Sequence, residues 1–206
     1  MSASVAARTA PPSGGSALDV CLLDGRPPAP RAADGAPRSS RRRRCTNGPG
    51  SFAGRKIGIL TTNGADAEIL AALQAAAQSE GATVEVIAPA VGGVDINDGS
   101  RLPAGQQVDG APSVLYDAVA IVAEPGAART LAARPAARDF VTDAVAHCKF
   151  IGYTSGAAVL FEAAGLPTDP RDMDDGFVNL TDHPASEFLA RCRQLRYWDR
   201  QNAAVT

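Results

Sequence analysis

From Arg55 onward the chain alternates between short apolar runs and longer amphipathic stretches. Lys56-Ile57-Gly58-Ile59-Leu60-Thr61 is apolar on both alternating faces, as a strand buried in a parallel sheet must be. Asn63-Gly64 predicts a turn after it. Asp66 then stands where a helix cap is needed, ahead of a stretch to about Glu80 in which Ile69, Leu70, Leu73, Ala76 and Ala77 share one face. Gly81 is placed to end that helix, and residues 82–88 read as a second buried strand. This β-α-β opening predicts a parallel sheet with right-handed crossovers.

Residues 89–115 break the rhythm. Gly92-Gly93, Asn97-Asp98-Gly99 and Asp109-Gly110 punctuate segments too short for a core strand, which predicts a small β excursion or hairpin. The buried-strand pattern returns at 116–123, Glu124-Pro125-Gly126 turns the chain, and helices are predicted over 127–133 and 135–147. Residues 149–165 read as a short strand, a tight turn and an alanine-rich helix. Ala185 to Tyr197 predicts a last amphipathic helix with Phe188, Leu189, Cys192 and Leu195 on one face. The sum is an α/β domain with a flavodoxin-like, doubly wound parallel sheet and helices on both faces.

Residues 1–50 share none of this periodicity. They are rich in Pro, Gly, Ala, Ser and Arg, and such a segment buries too little apolar surface to offset its ordering entropy. An unstructured leader over 1–50 is therefore expected, followed by one folded domain over 51–200 and a short tail at 201–206. The 206-residue chain has a net charge of −2, but eight arginines against three aspartates make residues 1–50 net +5 and leave −7 for the rest. Arg41 to Arg44 could contact phosphates or act as a localisation signal. Without interleaved aromatics or a folded basic surface, a solvated low-complexity run is the expected reading, with no specific nucleic-acid partner. Cys21, Cys45, Cys148 and Cys192 show neither a C-x-x-C pair nor zinc-ligand spacing, so reduced thiols and a cytoplasmic location are expected. No apolar run reaches the length that spans a bilayer, and no membrane partner is expected.

Candidate chemistry centres on Gly152-x-Thr154-x-Gly156, which has the spacing of a nucleophile elbow. Acyl or thiol chemistry asks for Ser or Cys at the centre, and this chain has Thr154. Loops 61–66, 124–127 and 153–156 should meet at the carboxyl ends of their strands, bringing Asp66, Glu68, Glu124, Thr154 and Ser155 into one neighbourhood. Glu68 is the possible acid there. Thr154 lacks an evident base, its β-branch resists a strained turn, and Ser155 lies one residue past the apex. His147 falls at a helix end and His183 ahead of Pro184, both places for capping rather than general-base catalysis. Cys148 belongs at the start of the elbow strand, the opposite end of the sheet. No triad is expected, and no G-x-G-x-x-G or P-loop marks a cofactor. The reading is of a vestigial elbow (Gly152, Thr154, Ser155, Gly156) with no catalytic, cofactor-binding or metal-binding residues.

Four stretches carry a resemblance: residues 47–60 (Asn47-Gly48-Pro49-Gly50 through Lys56-Ile57-Gly58-Ile59-Leu60), Asp98 to Ala104, Asp109 to Val119, and Arg196-Tyr197-Trp198-Asp199-Arg200. Over about residues 47–200 the chain resembles the C-terminal domain of large-subunit catalases. That resemblance implies the class I glutamine amidotransferase-like fold, shared with PfpI-like proteases and deglycases, with the reactive cysteine lost. It also implies a structural or interaction role tied to hydrogen peroxide removal and the oxidative stress response. Haem is implied only for the preceding core of the full-length family, and residues 1–46 do not resemble that core. The implied partners are a haem-bearing catalase core or a second copy of the chain. The alternative is a PfpI-like hydrolase, deglycase or chaperone using Glu68 and the 152–156 elbow.

Overall fold

The computed structural model describes residues 50–203. The expectations for the leader, for Arg41 to Arg44 and for Cys21 and Cys45 lie outside these residues. A six-stranded sheet organises the domain. Its strands are β1 (Lys56–Thr61), β2 (Thr83–Ala88), β5 (Gln106–Gln107), β6 (Ala118–Val122), β7 (Ile151–Tyr153) and β8 (Phe177–Asn179), in the order β5-β2-β1-β6-β7-β8. Every neighbouring pair is parallel. The strand order reverses between β1 and β6, so the carboxyl ends of those two strands flank the crevice where such folds hold ligands.

Helices α1 (Ala67–Ser79) and α5 (Ala185–Cys192) pack on one face of the sheet. Helices α2 (Pro125–Ala132), α3 (Pro135–Ala146) and α4 (Ala158–Ala163) pack on the other. Strand alternation divides the core accordingly. Ile57, Ile59, Ala118, Ala120 and Val122 face Leu70, Leu73, Phe188 and Leu189, whereas Leu60, Val119 and Ile121 face Leu131, Phe140 and Phe161. Ala118 and Ala120 on the central strand let the α1/α5 layer approach closely. Gly58 serves a similar end, because a Cβ there would sit 2.7 Å from the Tyr116 ring.

Several elements follow the pattern closely. Asp66 caps α1 by accepting from the Glu68 and Ile69 amides, and Gly81 takes a φ of 69° beyond the helix end. The predicted excursion is a hairpin of two-residue strands, β3 (Val94–Asp95) antiparallel to β4 (Arg101–Leu102), followed by β5 on the sheet edge.

Three elements differ. The final helix stops at Cys192 rather than Tyr197, because Leu195 adopts a φ of 64° and the Tyr197 amide donates to the Cys148 carbonyl, not within the helix. Strand β8 falls in a stretch for which the pattern predicts no element, and parallel pairing to β7 holds it extended. A short helix, α6 (Asp199–Ala203), runs past the domain boundary expected at residue 200. The interactions of Arg200, described below, carry the fold to that point.

Candidate functional site

The three predicted loops do meet at the carboxyl ends of β1, β6 and β7. The Glu124 amide donates to Thr62 Oγ1 at 3.0 Å, and the Ala123 amide donates to Thr154 Oγ1 at 3.1 Å. Gly156 lies so close to the end of β6 that a Cβ on it would meet the Ala123 carbonyl oxygen at 2.0 Å. Gly64 and Gly126 both lie against the Glu124 side chain. A small residue is required at 156 because the turn after β7 passes directly against the main chain at the end of β6, the reason an elbow needs one.

Convergence does not by itself assemble reactive groups. Thr154 has a φ of −106° and a ψ of 166°, ordinary extended backbone rather than a strained apex. Its side chain is 6% exposed. The hydroxyl accepts from the Ala123 amide and lies 3.2 Å from the Ala123 carbonyl, to which it can donate, with the Ile121 carbonyl at 3.5 Å. It therefore works as a staple between the ends of β6 and β7. A threonine suits this role: the hydroxyl bonds the main chain while the methyl fills buried space.

The other candidates have local duties. The Glu124 carboxylate accepts from the Ala127 amide at 2.8 Å as the N-cap of α2. Bonds from the Gly126 and Ala127 amides hold its carboxyl below the usual range. Asp66 is the cap of α1. Glu68 projects from the exposed first turn of that helix, and Ser155 is exposed at the start of a 3-10 turn over Ser155–Ala157. Gly152 sits under Leu180 and Phe188, where a Cβ would come within 3.1 Å.

His147 is the C-terminal cap residue of α3 and exposed. His183 Nδ1 lies 3.0 Å from Glu187 Oε2 in the first turn of α5, and Arg191 pairs with Glu187 at 2.6 Å. Arg191 first, then His183, lowers the Glu187 carboxyl. Cys148 is buried ahead of β7, at the opposite end of the sheet from Thr154, and Cys192 is buried in the layer between α5 and the sheet. Burial pushes the Cys192 thiol far up, making it unreactive near neutrality.

Asn63 and Asn97 were read from the sequence only as turn residues, but they bind the hairpin over the first loop. Asn97 Oδ1 accepts from the Ala67 amide at 3.0 Å, a second cap on α1, and Asn63 Oδ1 accepts from the Asp95 amide at 3.1 Å. Lys149 went unremarked as a charged residue, although one lysine within the apolar run Cys148-Lys149-Phe150 is itself a signal of a special environment. It is 1% exposed, and its Nζ donates to the carbonyls of Ser113 and Tyr116. Burial, then the nearby Arg196 charge, pulls its ammonium down to about 8. Among the described residues, no group of three or more His, Cys, Asp or Glu side chains could hold a metal ion. No described helix is long and apolar enough to cross a membrane.

Comparison with known proteins agrees with this architecture. The chain is 48% identical over 155 residues to Catalase C of Rhizobium meliloti (strain 1021), covering 75% of this chain and 22% of the relative. It is 32% identical over 192 residues to Catalase HPII of Mycobacterium avium, covering 87% of this chain and 27% of the relative. The chain thus spans about a quarter of the length of these curated relatives. In structure it is similar to oxidised DJ-1 of Toxoplasma gondii, with a TM-score of 0.56, 17% identity, and coverage of 73% of this chain and 96% of that one. This likeness shows the fold alone, a flavodoxin-like α/β sheet like that of DJ-1. Residues 53–202 match the family described as the C-terminal domain found in long catalases, and to that family this chain belongs.

Proposed function

We propose that this chain is a non-catalytic structural and interaction module associated with hydrogen peroxide removal by a catalase, with its elbow retained as a packing device. The observation that carries the reading is Thr154. At the centre of the elbow spacing stands a buried hydroxyl engaged by main-chain groups, with no acid or base on it. Activation of a hydroxyl nucleophile needs an adjacent base, itself oriented by a third group. The histidines instead sit at helix ends.

The described residues do not fit haem as an intrinsic cofactor. A haem ligand must present Tyr, His or Cys to an apolar pocket. Tyr116 is packed under the sheet at Gly58, Tyr153 lies edge-on to Phe161 and Phe177, and Tyr197 lies edge-on to Phe150. Cys148 and Cys192 are buried in the core, and His183 is paired with Glu187. Peroxide chemistry in this reading belongs to a separate catalase core, and the chain acts through contact with it. No observation favours the hydrolase or deglycase alternative: Glu68 is exposed and capped into α1 only through its amide.

The test is the purified chain given hydrogen peroxide, and separately ester, peptide and glycated-amine substrates. Expected are no Soret band, no oxygen release, and no change in any residual hydrolytic signal on Thr154→Ala or Glu68→Gln. Stoichiometric haem with turnover would overturn the reading. So would a loss of about tenfold or more in both folded variants, equivalent to about 1.4 kcal/mol of transition-state stabilisation.

A further inference from the structure

Asparagine followed by glycine is a chemically labile pair. The glycine main-chain nitrogen attacks Cγ of the asparagine, and the side-chain nitrogen leaves as ammonia, taking the glycine N–H proton with it. Water then opens the succinimide so formed to aspartate or isoaspartate. Glycine favours the attack because no side chain crowds its nitrogen or restricts the backbone turn required. Among the described residues, Asn63 is the one asparagine followed by glycine, and both Asn63 and Gly64 are exposed to water.

One residue of β3 occupies both reacting groups. The Gly64 amide donates to the Asp95 carbonyl at 2.8 Å, and Asn63 Oδ1 accepts from the Asp95 amide at 3.1 Å. The attack needs the Gly64 nitrogen to lose its proton and turn toward Cγ. A hydrogen-bonded amide does neither until its bond opens, which is also why such amides exchange slowly with solvent.

Asp95 is held in turn by the hairpin. It stands opposite Arg101, whose guanidinium donates to Asp95 Oδ1 at 2.9 Å and to the Gly92 carbonyl at 3.0 Å. The Asn97 amide ties the hairpin back to the first loop through the Ala65 carbonyl at 3.0 Å. Strands β3 and β4 have two residues each and form a sheet of their own, apart from the six-stranded one. So small and exposed a ladder opens at a lower free energy than the core strands.

We propose that Asn63 is a site of covalent modification by deamidation, and that the β3–β4 hairpin is the guard that controls it. The reaction proceeds only while the hairpin is lifted from the first loop. Isoaspartate reroutes the main chain through Cβ and so misplaces the Gly64 amide. Either product sets a new carboxylate beside Glu124, whose side chain lies against Gly64. Like charges there oppose reclosure of the first loop, so the change marks the loop permanently. This inference is independent of the proposed module role.

The test incubates the full chain at neutral pH and follows amide-to-acid exchange at residue 63 by peptide mapping and mass spectrometry. Native wild type is expected to react at least about tenfold more slowly than the same chain in urea, a protection of about 1.4 kcal/mol or more. Gly93→Ala should open the hairpin, since the added Cβ would sit 2.1 Å from the Leu102 carbonyl oxygen. Arg101→Ala loosens it more gently by removing the bonds to Gly92 and Asp95. Each variant, with its core shown folded by an intact cooperative melt, should react severalfold faster than native wild type. Should Gly93→Ala fail to fold, Arg101→Ala alone decides. Equal rates for native and urea-unfolded wild type would overturn the protection. Wild-type rates in the folded hairpin variants would take the guard away from the hairpin. No exchange at residue 63 even in urea would overturn the site itself.

Discussion

At the scale of single residues, the two most informative side chains are polar groups within the core, and both bond backbone carbonyls. Thr154 completes a junction between strand ends, and its neutral hydroxyl is easily accommodated. Lys149 is a different case, since an ammonium is costly to bury even on two carbonyl acceptors. Burial pulls its folded pKa down to about 8, below the value of the unfolded chain. Below pH 8 the amine is charged in both states and the burial cost is fully present. Between pH 8 and about 10.4 the unfolded chain holds more protons, so stability contributed at this site rises with pH. Measured against Lys149→Met to cancel other alkaline titrations, wild type should gain on the order of 2–3 kcal/mol from pH 7.5 to 10 in urea unfolding. A flat difference across that range would show that the two carbonyls fully compensate the burial.

At the scale of elements, the strand–turn–helix unit shows how an elbow's sequence spacing can survive without an elbow's strain. Gly156 is required because the turn passes against the Ala123 carbonyl at the end of β6, a backbone atom held in the central part of the sheet. Gly156→Ala would force that carbonyl or the turn to move, and the expected destabilisation is about 2–3 kcal/mol by denaturant unfolding. Gly165→Ala offers a contrast within the same unit. Its cost comes from a φ of 71° with open space around the added methyl, so it should be nearer 1 kcal/mol. Helix α4 has only six residues, preceded by the 3-10 turn, and depends on Leu160 and Phe161 packing beneath it.

At the scale of the whole molecule, the segment after α5 closes the domain. Arg200 makes two bonds to the Asp174 carboxylate, at 2.6 and 2.7 Å, and packs over the Phe177 and Tyr197 rings. With its bond to the Lys149 carbonyl, this one side chain joins β8, the start of β7 and the C-terminal segment. Arg200→Ala would leave the Asp174 carboxylate with much of its shielding but no partner of opposite charge at this site. The expected loss is about 2–3 kcal/mol, or roughly 5–10 °C in Tm, in a single cooperative transition. A loss below about 0.5 kcal/mol would mean that solvent screens the pair as it does an ordinary surface one.

The sequence by itself determined the parallel α/β class, the central strands, the capping of α1 by Asp66, the convergence of three loops and the family. These follow from local periodicity, turn chemistry and residue order, which each segment carries independently of the others. It also located the elbow at Gly152 to Gly156 and the odd threonine within it. Tertiary structure alone decided what that threonine does, because its partners on Ile121 and Ala123 are distant in sequence and their approach depends on β6–β7 pairing. The same holds for β8, which owes its extended form to β7, and for α5, which ends where the Tyr197 amide turns to Cys148. Lys149 and Arg200 were visible as letters, but their roles come from carbonyls and rings that only the folded chain brings together. Burial and long-range hydrogen bonding are properties of several segments at once, and no local pattern encodes them.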